Sequence, residues 1–384
     1  MADRVSVNKD RILAEFFKLT SFDAPSYQEE GIAKYLKEKL KSLGLSVEED
    51  DAKSKLLEED ASRTKTASNF YAYLKGTGDP ILFSSHMDTV NPGIGKKAIL
   101  HDDGRITSAG NTVLGADDVS GLVSIIEALT VIQEKKIPHP DLEILFTVAE
   151  EPYCSGSRFI DYKKIKAKEG YVLDLTGPVG TAATAAPSIL SLKIGVKGRA
   201  AHAGFNPEKG INALSIAADA LANVRTGRVY ENLTVNFGTI SGGSGRNIVP
   251  EAIWIEGEIR CLEHEKALCE ADLIREIFEK AAKKYGGAIE FGLTEHIRSY
   301  GISKRKNVVK RFLSAAKEVT TLEHPETITT YGGSDANRLN EHNVDTIVIA
   351  NAMENSHGTD EYTTAAELTR SAELTLRLMT SQHS

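Results

Sequence analysis

The sequence predicts an α/β fold: a mixed or parallel sheet covered by helices and interrupted by a compact α+β insertion. Three observations predict it. Apolar strands alternate with amphipathic helices through the first part of the chain, the rhythm of βαβ units. The texture changes after "TAATAAPS", where longer strands and helices follow one another in a different order. From residue 300 the βα texture resumes. With 384 residues the chain exceeds one simple core. The expected division is 1–186 and 300–384 for the main domain and 187–299 for the insertion.

The elements justify this in order. "DRILAEFFKL" and "EEGIAKYLKEKLKSLG" carry apolar residues at helical spacing, the second stopping at Gly44. "PILFSSHMD" reads as a buried strand with a polar exit, "GLVSIIEALTVIQEKK" as an amphipathic helix, and "DLEILFTVAEE" as a strand again. In the insertion, "ILSLKIGVKG", "AIWIEGEIRCLE" and "GAIEFGLTEHIRSY" read as strands, with helices over "GINALSIAADALANV" and "KALCEADLIREIFEKAAKKYG". "DTIVIANAM" is a further buried strand, and the run "DYKKIKAKEG" is a solvated surface.

Composition excludes several classes. A hydrophobic content of 41% with 26% charged residues is that of a soluble globular protein. The net charge of -8 argues against a general nucleic-acid binder, so no nucleic-acid partner is expected. The opening "MADRVSVNKDRILAEFFKL" lacks a signal-peptide core, and no run reaches the roughly 18 apolar residues of a membrane span. Cys154, Cys261 and Cys269 form no CxxC pair and no even-numbered framework. A reducing cytoplasm and no membrane partner are the expectation.

The polar residues at strand exits carry the chemistry. "ILFSSHMDTV" supplies His86 and Asp88, "VLGADDVSG" Asp117 and Asp118, "EILFTVAEEPYCSGS" Glu150 and Glu151, "GYVLDLTG" Asp174, and "NSHGTDEYT" His357. Ligands gather at the carboxyl ends of strands in α/β folds. Singly, each has an ordinary reading: a surface pair, a helix cap, a solvated loop. Together, beside apolar strands where unpaired charge is costly, they point to a divalent metal site. One carboxylate can span two ions roughly 3.5–4 Å apart. Asp88 is placed to hold the other nitrogen of His86. Of the adjacent glutamates, one serves as ligand and its neighbour takes a proton from the attacking water.

In order along the chain, "HMDTV", "LGADDVSG", "TVAEEPYCSGS", "LDLTG", "GRAAHAG", "GGSDANRL" and "SHGTDE" resemble the motifs of the co-catalytic zinc metallopeptidase family. That family includes peptidase T, glutamate carboxypeptidase, the aminoacylases and succinyl-diaminopimelate desuccinylase. The similarity runs from about residue 8 to 378 and is nearest the peptidase T-like branch. It implies a zinc exopeptidase catalytic domain interrupted by a lid or dimerisation domain, and a homodimer through the latter. It implies His86 and Asp174 on one ion, Glu151 and His357 on the other, and Asp117 bridging both. Zinc is the expected ion, with cobalt or manganese as substitutes. Glu150 would be general base and then acid, Asp88 would orient His86, and the peptide after Asp117 would be cis. His202 would stabilise the oxyanion, while Asn247, Arg260, Gly333 and Ser334 would contact a short peptide.

One departure bears on specificity: where peptidase T carries an arginine before its Gly-Gly, this chain has Tyr331. The expected activity is release of the N-terminal residue from tripeptides. An N-acyl-amino-acid amidohydrolase or a carboxypeptidase would use the same residues. A non-catalytic binding protein on this scaffold would be marked by loss of the base, and Glu150 is present. Cys154 as a nucleophile lacks a paired histidine nearby.

Overall fold

Four parallel strands, Leu142–Thr147, Ile81–His86, Glu169–Thr176 and Asp345–Met353, lie side by side in a computed structural model that describes residues 6–381. Every residue of Ile81–His86 and Leu142–Thr147 is buried, as expected for strands covered on both faces. Because the four run the same way, their carboxyl ends reach a common edge. Phe70–Leu74 and then Ser46–Glu49 extend the sheet antiparallel beyond Leu142–Thr147. At the other side Thr181–Ala186 pairs antiparallel with Asp345–Met353, and Glu326–Thr329 pairs parallel with Thr181–Ala186. The sheet is therefore mixed, within an α/β fold.

The helix Ala116–Lys135 differs from its expected amphipathic form: it is buried on all sides from Ala116 to Ile132. The cause is tertiary. It packs on strands Ile81–His86, Glu169–Thr176 and Asp345–Met353 and also on helices Lys9–Thr20 and Ala365–Thr380. Beyond its first turn, the charged residue buried in this environment, Glu127, is paired. It accepts from Arg11 Nε at 2.6 Å and Nη2 at 2.9 Å and from the Asn8 amide at 2.7 Å. That is the condition under which a buried charge is tolerated.

This first unit runs through Ala185 and resumes over Gly301–Thr330 and from Ser334 onward. A second unit comprises Ala186–Tyr300 with Tyr331–Gly333. Its sheet is antiparallel, in the order Gly227–Tyr230, Leu233–Gly242, Ala252–Cys261, Ser188–Lys197, Ala288–Ile297. Leu190, Leu192, Ile194 and Val196 alternate onto one face of their strand. There they join Ile216, Ala217, Ala271, Ile274 and Phe278 from helices Ala213–Asn223 and His264–Tyr285 in a separate core. The strand Leu233–Gly242 has only Leu233 and Val235 buried, which explains its weak sequence signal.

Candidate metal centre

The edge where the four parallel strands end brings both histidines and the acidic residues together. His86 closes its strand, and Asp174 lies near the end of Glu169–Thr176. Glu150 and Glu151 follow Leu142–Thr147, and His357 follows Asp345–Met353. Asp117 stands at the start of the buried helix with non-helical backbone (φ -83°, ψ 101°), and its bond to Asp118 is cis. Its amide donates to Glu361 Oε1 at 2.9 Å, while the Gly115 amide donates to Glu361 Oε2 at 2.7 Å.

Asp117 presents one oxygen to each imidazole. Oδ1 lies 3.0 Å from His86 Nε2 and Oδ2 lies 3.2 Å from His357 Nε2. On the His86 side, Asp174 Oδ1 is 3.8 Å from the same nitrogen. On the His357 side, Glu151 Oε2 is 3.0 Å from His357 Nε2. Two trios result, His86–Asp117–Asp174 and Asp117–Glu151–His357, each with its donor atoms within 4.8 Å of one another and both sharing Asp117. His86 Nδ1 lies 2.9 Å from the Asp88 carbonyl oxygen. A carbonyl only accepts, so this nitrogen carries the proton and Nε2 is left as the ligating atom.

The acceptor that Asp88 offers His86 is chiefly its carbonyl. Its backbone, more than its carboxylate (3.5 Å away), orients His86. The fully buried carboxylate accepts from the Glu150 amide at 2.9 Å, the Glu151 amide at 3.3 Å and the Ser26 hydroxyl at 2.7 Å. It holds the Glu150–Glu151 turn. Glu29, fully buried, assists by accepting the Ala149 amide at 3.1 Å. Asp118 also has another part than the strand-exit pattern suggested. It accepts from Ser85 Oγ at 2.5 Å, the His86 amide at 3.1 Å, the Gly121 amide at 3.2 Å and Asn351 Nδ2. Glu361, Glu29 and Ser26 escaped the sequence reading because they bind backbone or other carboxylates and stand at no strand exit.

The electrostatics are those of a crowded anionic pocket. Burial, followed by Asp117 and Glu150, pushes the Asp174 carboxyl well above its usual range. Burial also raises Glu150, with Asp335, Glu151 and Asp88 adding to the rise and His86 opposing it. Glu151 is raised by burial and by Asp117. Burial works against ionisation of Asp117, but its bonds to His357 and His86 outweigh it and hold the carboxyl low. His357 is pushed up to about 10 by its bonds to Asp117 and Glu151. Glu151 Oε1 is buried without a hydrogen-bond partner among the described residues. Two imidazoles, three carboxylates and one orphaned carboxylate oxygen fit divalent cations, which would relieve the repulsion and use the free oxygen.

In the second unit, His202 is exposed; its Nδ1 accepts from the Gly204 and Phe205 amides, each at 3.2 Å. Asn247 is exposed and its carbonyl accepts from the Ala203 amide at 2.9 Å. Arg260 pairs with Glu258 through Nε at 2.6 Å and donates from Nη1 to the Tyr331 carbonyl at 2.8 Å. Gly333 packs so closely that a Cβ there would come within 2.1 Å of Ile297 Cδ1. In the first unit, Ser334 caps helix Asp335–Glu341 through the Ala336 amide.

Comparison with known proteins places this centre in a family. A family model described as "Peptidase family M28" matches residues 69–186, and one described as "Peptidase dimerisation domain" matches residues 184–286. An uncharacterised protein of Bacillus subtilis (strain 168), YqjE, is 36% identical over 97% of this chain and 98% of its own. An aminopeptidase PepT structure from Bacillus cereus ATCC 10987 has TM-score 0.88 and 36% identity, covering 97% of this chain and 98% of that one. A tripeptidase structure from Staphylococcus aureus subsp. aureus Mu50 has TM-score 0.91 and 33% identity over the same shares. The fold and the site define a metallopeptidase, a hydrolase of peptide bonds. Within that class the chain belongs to the family of peptidase T, in its peptidase T-like branch.

Proposed function

We propose that the protein is a dizinc aminopeptidase that releases the N-terminal residue of tripeptides. The observation that carries the two-ion reading is Asp117, with one oxygen toward each imidazole and a further carboxylate beyond each. His86 and Asp174 would hold one ion, Glu151 and His357 the other, and Asp117 both. When bound, the ions supply Lewis acidity toward the scissile carbonyl and toward the attacking water. The tripeptide reading is supported by the tripeptidase and aminopeptidase relatives.

The chain's own groups do the rest. Glu150, set beside the ligands by the grip of Asp88 on its amide, takes the proton of the attacking water on its carboxylate. The same carboxyl then gives that proton to the leaving amine. Its raised proton affinity suits both halves of this exchange. His202 would stabilise the oxyanion, and Asn247, Arg260, Gly333 and Ser334 would bind substrate. Removal of the His202 imidazole is expected to lower kcat. A homodimer through the second unit, which the dimerisation-domain match favours, is tested by sedimentation at working concentration.

The deciding experiment is mass-spectrometric product analysis of zinc-loaded protein with free tripeptides, dipeptides and their N-acylated counterparts, with and without chelator. Chelator-sensitive release of the N-terminal residue from free tripeptides alone is the expected result. Cleavage confined to N-acylated substrates would replace the aminopeptidase reading with that of an amidohydrolase or carboxypeptidase.

A further inference from the structure

Glu150 has an unusual partner. Among the described residues, the one side chain that hydrogen-bonds its carboxylate is Cys154, whose Sγ lies 3.2 Å from Oε1. The thiol is 1% exposed and the glutamate 8% exposed, so water does not compete freely for that bond. The backbone is bent to make the contact. Ala149, Tyr153 and Cys154 all have positive φ (47°, 61° and 54°), a conformation non-glycine residues adopt rarely. The Cys154 amide donates to the Glu150 carbonyl at 2.5 Å and the Ser155 amide to the Ala149 carbonyl at 2.8 Å. The turn they close returns the thiol to the carboxylate four residues earlier. Asp335 stands close by, its carboxylate within 4.8 Å of the other two groups.

We propose that Cys154 is a positioning residue: its S–H donates to Glu150 Oε1 and fixes the carboxylate so that Oε2 is left to exchange the proton with water and leaving amine. The inference rests on Glu150 being the base. Burial, with Glu150 beside it, pushes the thiol well above its ordinary range, so it stays a donor and never competes as a thiolate. A thiol also suits the task chemically. An ammonium or guanidinium would hold the carboxylate as firmly but would favour its ionised form and weaken it as a base. The weaker S–H bond gives direction at little loss of basicity.

The test uses full-length, zinc-loaded protein and a free tripeptide. C154A is expected to lower kcat roughly tenfold, with KM and bound metal unchanged, since a small misplacement of a reacting group has effects of that order. C154S, which keeps a donor, recovers most of the loss. A second measurement reads the bond itself. The S–H stretching band of Cys154, isolated as a wild-type minus C154S difference spectrum, should lie at a hydrogen-bonded frequency and move to the free-thiol frequency in E150A. Wild-type kcat in C154A, failure of C154S to recover activity, loss of metal in parallel with activity, or a band indifferent to E150A would each overturn the proposal. An E150A enzyme that still turns over peptide would overturn the base reading and this inference with it. It is told apart from the other outcomes because Cys154 is intact in it.

Discussion

At the scale of single residues, neighbouring carboxylates have been given different work by what they face. Asp117 faces two imidazoles, while Asp118 faces the hydroxyl of Ser85, two backbone amides and Asn351. Glu151 faces His357, while Glu150 has no imidazole bond among the described residues and a raised proton affinity. E150A is therefore expected to lose about 10²–10⁴-fold in turnover while keeping its metal, read by steady-state kinetics and metal analysis on one sample. Full activity would remove Glu150 as the base. His357 gives a pH prediction. Without metal it keeps its proton up to about 10, and a ligating imidazole must be neutral. Metal binding must then displace that proton at neutral pH. Apparent metal affinity should rise with pH, by up to about tenfold per unit for this one proton, and level off above about 10. Calorimetry in buffers of different ionisation enthalpy would detect the released proton; no buffer dependence would contradict it.

At the scale of elements, the start of helix Ala116–Lys135 is what joins fold and site. Gly121 lies where Asp118, Ser85 and the strand Glu169–Thr176 converge. A Cβ there would come within 2.6 Å of Asp118 Oδ1, 2.7 Å of the Leu173 carbonyl and 2.8 Å of Ser85 Oγ. All three are backbone atoms or the ends of short side chains, with little room to yield. G121A should destabilise the protein by about 1–3 kcal/mol, the usual effect of overpacking. It should also weaken metal binding, because Asp118 holds the His86 amide and neighbours Asp117. Thermal denaturation of the chelated protein and metal titration measure the two effects separately. Unchanged stability would show that the helix start moves more easily than its contacts imply.

For the molecule as a whole, the first unit carries a concentrated burden of buried acids: Asp88, Asp117, Asp118, Glu150 and Asp335 all lie below one-tenth exposure. Burial resists their ionisation, so bound metal and folding should be coupled. Zinc at about 1,000 times its Kd should add about 4 kcal/mol of stability, and chelation should lower Tm accordingly. An equal Tm with and without chelator would show that these acids are neutralised by protons alone. As for the setting of the protein, no helix among the described residues is long and apolar enough to cross a membrane.

The sequence by itself determined that these polar residues would gather at one edge of the sheet. Apolar strands ending in His86, Glu150–Glu151 and Asp174 can lie in one α/β sheet only with those polar residues at the strand exits, because burying them in the sheet would leave charges unpaired. Motif order was equally legible, since each motif is a local string. Tertiary structure alone decided which atom faces which. It turned the Asp88 carbonyl toward His86 and its carboxylate toward the Glu150–Glu151 turn, and it brought Glu361 under the Asp117 amide and Cys154 against Glu150. It also buried the whole circumference of a helix that reads as amphipathic. The physical reason is common to all of these. Strand and helix periodicity fixes the side of an element on which a residue stands, but hydrogen-bond direction and complete burial depend on groups supplied by distant segments.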